Sequence, residues 1–213
     1  MLFLLFSFQI ARLQYEGGGD WYNDPEVIPN LVKFIKKYIN IDLDEKQAIV
    51  KPSSKDIFNY PIVYMTGHGN VYFSEIDAKN LRDYLERGGF LYVDDDYGLD
   101  TYFRREIKKV FPDKELEEIP LNHPIFHIYW KFDKLPKIHQ HDGKPPKAYG
   151  IFIGDRLVLL YTYESNISDG WTDRHGDPPE VQETALKFGM NIVLYALTLQ
   201  WRYYTFQITI LEL

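Results

Sequence analysis

The chain contains no cysteine. That absence removes a disulfide framework, a thiolate metal site and a cysteine nucleophile together, and it leaves the compartment open. It also lacks any block of lysine and arginine, and its formal net charge is -7. A nucleic-acid backbone calls for a concentrated basic face, so nucleic acid is excluded as the main partner. The densest basic stretch, Lys144 to Lys147, is interrupted by Pro145 and Pro146 and reads as a solvated loop. No Gly-x-Ser-x-Gly elbow is present, so no serine nucleophile of that type is available. No internal repeat or low-complexity segment appears either.

Long apolar runs are missing too. Met1 to Ile10 is apolar except for Ser7 and Gln9, but ten residues cannot span a bilayer, and the basic start and small-residue cleavage site of a signal peptide are absent. The segment reads as an apolar lead-in that sends Phe8, Ile10 and Leu13 into the core, or as the truncated end of an export signal. Location is accordingly cytoplasmic or exported, with no membrane span in this chain.

What is present suits one core. At 213 residues and 45% hydrophobic content, the chain has the length and composition of a single folded domain, residues 1–213. Strand and helix periods alternate along its first half. After a first strand, Asp24-Pro25 opens a helix with Val27, Ile28, Leu31, Val32, Ile35 and Ile39 at helical spacing, Pro25 suiting the first turn. Residues 48–51 predict a short strand, a helical turn follows near Asp56, and Ile62 to Met65 reads as a buried parallel strand. Ser74 with Asp77 resembles a capping box for a helix reaching Arg87, where Gly88-Gly89 stops it. Phe90 to Val93 is the next strand, and a helix over about 101–110 ends before Pro112.

The second half differs. Residues 113–147 are rich in proline and hold four of the six histidines, which predicts an irregular excursion. Residues 148–153 and 156–163 flank Gly154-Asp155 and predict a hairpin. A polar loop, 164–179, leads to a helix over about 180–199, and the tail from Tyr203 to Leu213 alternates like an edge strand. The fold expected is α/β: a three-layer sandwich with a mainly parallel sheet in flavodoxin-like order 2-1-3-4-5 and an added β-hairpin.

In that order the ends of strands 1, 3 and 4 are neighbours, and each ends in glycines, carboxylates or histidine. Gly17, Gly18, Gly19, Asp20 and Trp21 follow the first, Gly67, His68 and Gly69 the second, and Asp94, Asp95, Asp96 and Tyr97 the third. All three clusters should line one crevice at the carboxyl edge of the sheet. The glycines would admit a ligand to the backbone, and Trp21 and Tyr97 would offer stacking faces. His68, Asp95 and Asp96 are the candidate catalytic groups. Against that, a histidine between glycines also suits a turn-stabilising hydrogen bond, and Asp94 and Asp96 suit capping of the next helix or bonding to the glycine turns.

A divalent metal is possible, since clustered oxygens suit Mg²⁺ or Ca²⁺, and a set mixed with His68, His123, His127, His139 or His141 suits Zn²⁺. No spacing matches a known ligand motif. His139 and His141 share a face if extended, although a solvated loop explains them as well. Arg12, on an apolar strand, predicts a carboxylate partner among Glu16, Asp20 and Asp94. Asp169-Gly170-Trp171 and Asp173 to Asp177 read as a loop that folds over the crevice or simply as loop.

Taken together, Arg12-Leu13-Gln14-Tyr15 with Gly17-Gly18-Gly19-Asp20-Trp21-Tyr22, the Gly67-His68-Gly69 turn, Gly88-Gly89-Phe90-Leu91 leading to Asp94-Asp95, and His123-Pro124-Ile125-Phe126 resemble the bacterial domain of unknown function 4159 family, over about residues 8–200. The resemblance implies a class I glutamine amidotransferase-like fold and no established activity. In true amidotransferases of that fold, a cysteine paired with histidine sits on the turn after a central strand, where this chain carries Asp95 or Asp96. Two functions remain: a non-catalytic binding or assembly module recognising a sugar, peptide, other small molecule or partner segment, and a hydrolase using His68 and Asp94 to Asp96, with or without a metal. Oligomeric state is open.

Overall fold

In a computed structural model, residues 8–211 are described, with side-chain surroundings described through residue 198. Met1 to Ser7, most of the apolar lead-in, lie outside the described residues. Seven strands form one sheet in the order β2-β1-β3-β4-β7-β6-β5. They are β1 (Ile10–Leu13), β2 (Ala48–Val50), β3 (Ile62–Met65), β4 (Phe90–Asp94), β5 (Glu117–Glu118), β6 (Lys147–Ile153) and β7 (Arg156–Tyr163). The first five in spatial order run parallel, with β7 taking the fifth place of the flavodoxin-like order, and β6 and β5 continue the sheet antiparallel. The β6–β7 hairpin turns on Gly154, whose φ of +58° suits glycine.

Strand alternation divides the core into two layers. Ile10, Tyr64, Tyr92 and Leu160 face α1 (Val27–Lys36) and α4 (Pro179–Leu211), whereas Ala11, Val63, Leu91 and Leu159 face α2 (Glu75–Glu86) and α3 (Asp100–Val110). The result is a three-layer α/β sandwich. Each fully buried Leu, Ile or Phe contributes about 1.5–3 kcal/mol, so this burial, more than helix propensity, holds the four helices in place. Ser74 and Asp77 form the capping box expected for α2. Among the described residues, no helix is long and apolar enough to cross a membrane.

Four expectations are corrected. The first helix begins at Val27, and Asp24, with φ of +44°, and Pro25 belong to the preceding turn. The cause is Arg12, which is buried and meets no carboxylate. Its guanidinium donates to the backbone carbonyls of Trp21, Asn23 and Asp24 and to Gln47 Oε1, and it lies over the Tyr64 ring. Those carbonyls are drawn inward, although that of Asp24 also accepts the Val27 N–H at 3.3 Å. The predicted edge strand from Tyr203 is instead a continuation of α4 to Leu211; no glycine or proline follows Gly189, so nothing interrupts the helical ladder. Lastly, the supposed polar loop is buried from Ser165 to Trp171, with Ile167 and Trp171 in the core.

Candidate functional site

The carboxyl ends of β1, β3, β4 and β7 meet at one edge of the sheet, where the three predicted clusters converge. Gly19 N–H donates to the Asn70 carbonyl (3.0 Å), and Asn70 Nδ2 donates to the Gly17 carbonyl (3.0 Å). Gly17, at φ of +114°, packs so closely that a Cβ would lie 2.8 Å from Tyr72 N, and a Cβ on Gly67, at φ of +134°, would lie 2.4 Å from Tyr15 Oη. These glycines let one chain segment approach another. Gly18 and Gly69 have open space beside them.

His68 is half-exposed at the centre. Its backbone N–H donates to Asp20 Oδ1, and its Nδ1 lies 3.0 Å from Asp20 Oδ2 and 3.4 Å from Asp96 Oδ2. Burial alone would lower the imidazole pKa, but Asp96 and Asp20 outweigh it and the net shift is upward. Burial, with Asp169 beside it, pushes the Asp96 carboxyl up to about 7 while His68 pulls it back. The carboxylates favour the imidazolium form of His68, and His68 in turn favours the ionised form of Asp96.

The three consecutive aspartates do three different things, because adjacent positions at a strand end point in different directions. Asp94 is fully buried and accepts from Thr162 Oγ1, Ser168 N–H and Ser168 Oγ; burial raises its pKa to about 6 against those bonds. Asp95 accepts the N–H of Leu99 (3.1 Å), the residue that opens α3, and burial raises it to about 6, helped by Asp100 and Asp94. The capping role expected of Asp94 or Asp96 therefore falls to Asp95. Asp96 alone turns to His68, and receives Nδ2 of Asn23 (2.5 Å) and of Asn166 (3.0 Å).

Trp21 is partly buried and packs edge-on to Tyr22. Tyr97 is half-exposed, with one ring face stacked on His141 at 4.8 Å. His123 accepts the N–H of Ile125 at a short turn, and His127 Nε2 meets the Leu121 carbonyl, so both serve local structure.

A second wall comes from residues 138–177. Asn166 Nδ2 joins Asp96 to Asp169 Oδ2 (2.9 Å). His139 sits between Asp169 (Nδ1, 3.0 Å) and Asp177 (Nε2, 3.3 Å), and His175 Nε2 lies 2.8 Å from Asp24 Oδ2. His139 is raised to about 9, first by its hydrogen bond to Asp169. Asp169 is held low, because its bonds to His139 and Asn166 and the charge of His175 outweigh burial. One donor atom from each of His139, Asp169 and His175 falls within 4.8 Å of the others, a set that could hold a metal. His139 and His141 keep only an edge contact, ring centroids 6.3 Å apart: His139 lies closer to His175, while His141 goes to Asn166 and Tyr97. Asn23 and Asn166 had no signal in the sequence, Asp24 was read as a helix start, and His175 entered only as part of the loop 173–177. Had residues 156–163 been placed as a parallel neighbour of β4, the strand-end rule would have marked 164–169 as a fourth contribution.

Fold and geometry together define an α/β protein with a cluster of histidines and carboxylates at the carboxyl edge of a mainly parallel sheet. Within that class, the chain belongs to the family described as Domain of unknown function (DUF4159), whose model matches residues 9–197. No curated protein matches the chain.

Proposed function

We propose that the crevice is a recognition site for a small polar ligand, a carbohydrate or a short peptide, and that the chain acts as a binding or assembly module. The observation that carries this reading is the Asp20–His68–Asp96 array, in which a half-exposed imidazole is clamped between two carboxylates. Asp96 and Asp20 favour its cationic form over the pull of burial. The crevice therefore offers a cationic N–H donor beside carboxylate acceptors, the pairing that hydroxyls and peptide groups use. If the fold is also class I glutamine amidotransferase-like, the turn that would carry the thiol holds Asp95, committed to Leu99, and Asp96, committed to His68. That supports a crevice kept without the thiol chemistry.

A thermal-shift and calorimetric screen of mono- and oligosaccharides and short peptides tests it, with wild type and His68→Ala compared. A ligand that stabilises wild type and not the variant is expected. Failure of every class screened, or equal binding by the variant, defeats the reading.

Hydrolysis is the second reading, and one feature favours it: with Nδ1 engaged by carboxylates, His68 Nε2 is left for proton transfer, as in carboxylate-oriented imidazoles. The raised pKa works against a base and for an acid. Turnover of ester, amide or glycoside substrates that is lost in His68→Gln would favour this reading over simple binding.

A further inference from the structure

We propose that His139, Asp169 and His175 form a binding site for one divalent transition-metal ion, with Zn²⁺ the best match to their donors. This goes beyond ligand recognition in the crevice and does not depend on it.

The first argument is geometric. The three donor atoms lie within 4.8 Å of one another. Donors held about 2.0–2.2 Å from a shared ion stand roughly 3–4 Å apart, so the widest separation needs to contract by about 1–2 Å. His139 and His175 are side chains of irregular segments outside the sheet, which can supply that movement. Two imidazoles and a carboxylate, with no thiolate, suit Zn²⁺ and its first-row neighbours better than Mg²⁺ or Ca²⁺, which favour all-oxygen sets.

The second argument concerns what stands behind the donors. A histidine that ligates a metal usually gives its other ring nitrogen to a carboxylate, and a ligating carboxylate is itself hydrogen-bonded. Here Nδ1 of His139 faces Asp169 and its Nε2 faces Asp177 at 3.3 Å, while Asp169 receives Asn166 Nδ2 at 2.9 Å. That outer layer is already assembled. Asp24 Oδ2 lies 2.8 Å from His175 Nε2, a carboxylate beside the second imidazole.

The third argument is charge. Asp24, Asp96 and Asp169 are each under a tenth exposed, and Asp177 stands behind them. Asp96, Asp169 and Asp177 meet imidazoles and amides there. Burying these carboxylates together is costly even with the imidazoles and the Arg174 guanidinium, 3.8 Å from Asp24 Oδ1, beside them. A divalent ion between the histidines offsets it.

Calorimetry of the chelator-treated full chain with Zn²⁺ alone, and visible absorption on adding Co²⁺ alone, test the site. One ion per chain is expected, with a Co²⁺ spectrum of nitrogen and oxygen ligation and a raised thermal midpoint. His175→Ala and His139→Ala should each weaken affinity at least about 100-fold, and Asp177→Asn by about 10-fold, the lower end for a supporting residue. His127→Ala should change nothing. His175, exposed on one side, is the variant least apt to disturb folding, and its metal-free melting midpoint serves as the control. Binding of less than one ion, unchanged affinity in folded His175→Ala, or an equal loss in His127→Ala overturns the proposal. Loss of Zn²⁺ in His68→Ala with His175→Ala unaffected also overturns it, by placing the ion at His68 and Asp96.

Discussion

The two walls of the histidine–carboxylate cluster meet at one sheet edge but are held in opposite ways. The wall from β1, β3 and β4 is short: each loop leaves a core strand and, within a few residues, presents its polar groups beside glycines with positive φ. The wall from residues 138–177 is long and has little regular structure, yet between Ser165 and Trp171 it is as buried as the sheet. The first wall inherits its position from strand geometry. The second is held by side chains, chiefly Asp94 to Ser168, Asn166 to Asp96, and Trp171 with its Nε1–H on the Ala185 carbonyl of α4. Loops fixed by a sheet tolerate loss of one polar contact, whereas a segment fixed by hydrogen bonds does not.

The largest effect should come from Asp94→Ala, which removes one of the acceptors joining the two walls. Thr162 Oγ1, Ser168 N–H and Ser168 Oγ would all lose a buried partner, at about 3–5 kcal/mol in total. Chemical denaturation measures it. A cost below about 1 kcal/mol would mean that the second wall holds itself and that the contrast fails.

Next in size is a pH effect at Asp95. Burial raises its pKa to about 6 from an ordinary carboxylate value, so protonation favours the fold. Its contribution is complete below about pH 4 and is lost as pH rises through about 6. Asp95→Asn keeps an acceptor for Leu99 N–H and removes the titration. Relative to wild type, the variant should gain about 2–3 kcal/mol between pH 4 and pH 8. A difference between the two that stays flat across those pH values would refute the assignment.

Gly67→Ala should cost about 2 kcal/mol, because its φ of +134° is strained for alanine and the new Cβ meets Tyr15 Oη. Gly18→Ala, at φ of +91° but in open space, carries the backbone term alone and should cost less. Equal melting midpoints for the two would show that close approach between segments does not order the first wall.

The smallest stability effect is expected at His68. His68→Gln should alter stability by under about 1 kcal/mol, since the side chain is half-exposed and screened, while ligand binding is lost. A melting midpoint lowered by well over about 2–4 °C would make His68 a structural residue of the turn.

By itself, the sequence determined the α/β sandwich and one of the two walls. Apolar strands buried on both faces, the Ser74–Asp77 capping box and helical apolar stripes are local signals, and in a parallel sheet local order dictates which strand ends become neighbours. Gly17 to Trp21, Gly67 to Gly69 and Asp94 to Tyr97 were legible for that reason. Only the tertiary structure decided which aspartate did what. A period of two states that Asp94, Asp95 and Asp96 diverge, but not that Ser168, Leu99 and His68 await them, as the three partners lie 74, 4 and 28 residues away in the chain. It decided likewise that Arg12 would bind carbonyls, and that His139, Asp169 and His175 would meet. Such contacts depend on side chains closing long loops across the sheet edge, and long-range closure leaves no period in the sequence to read.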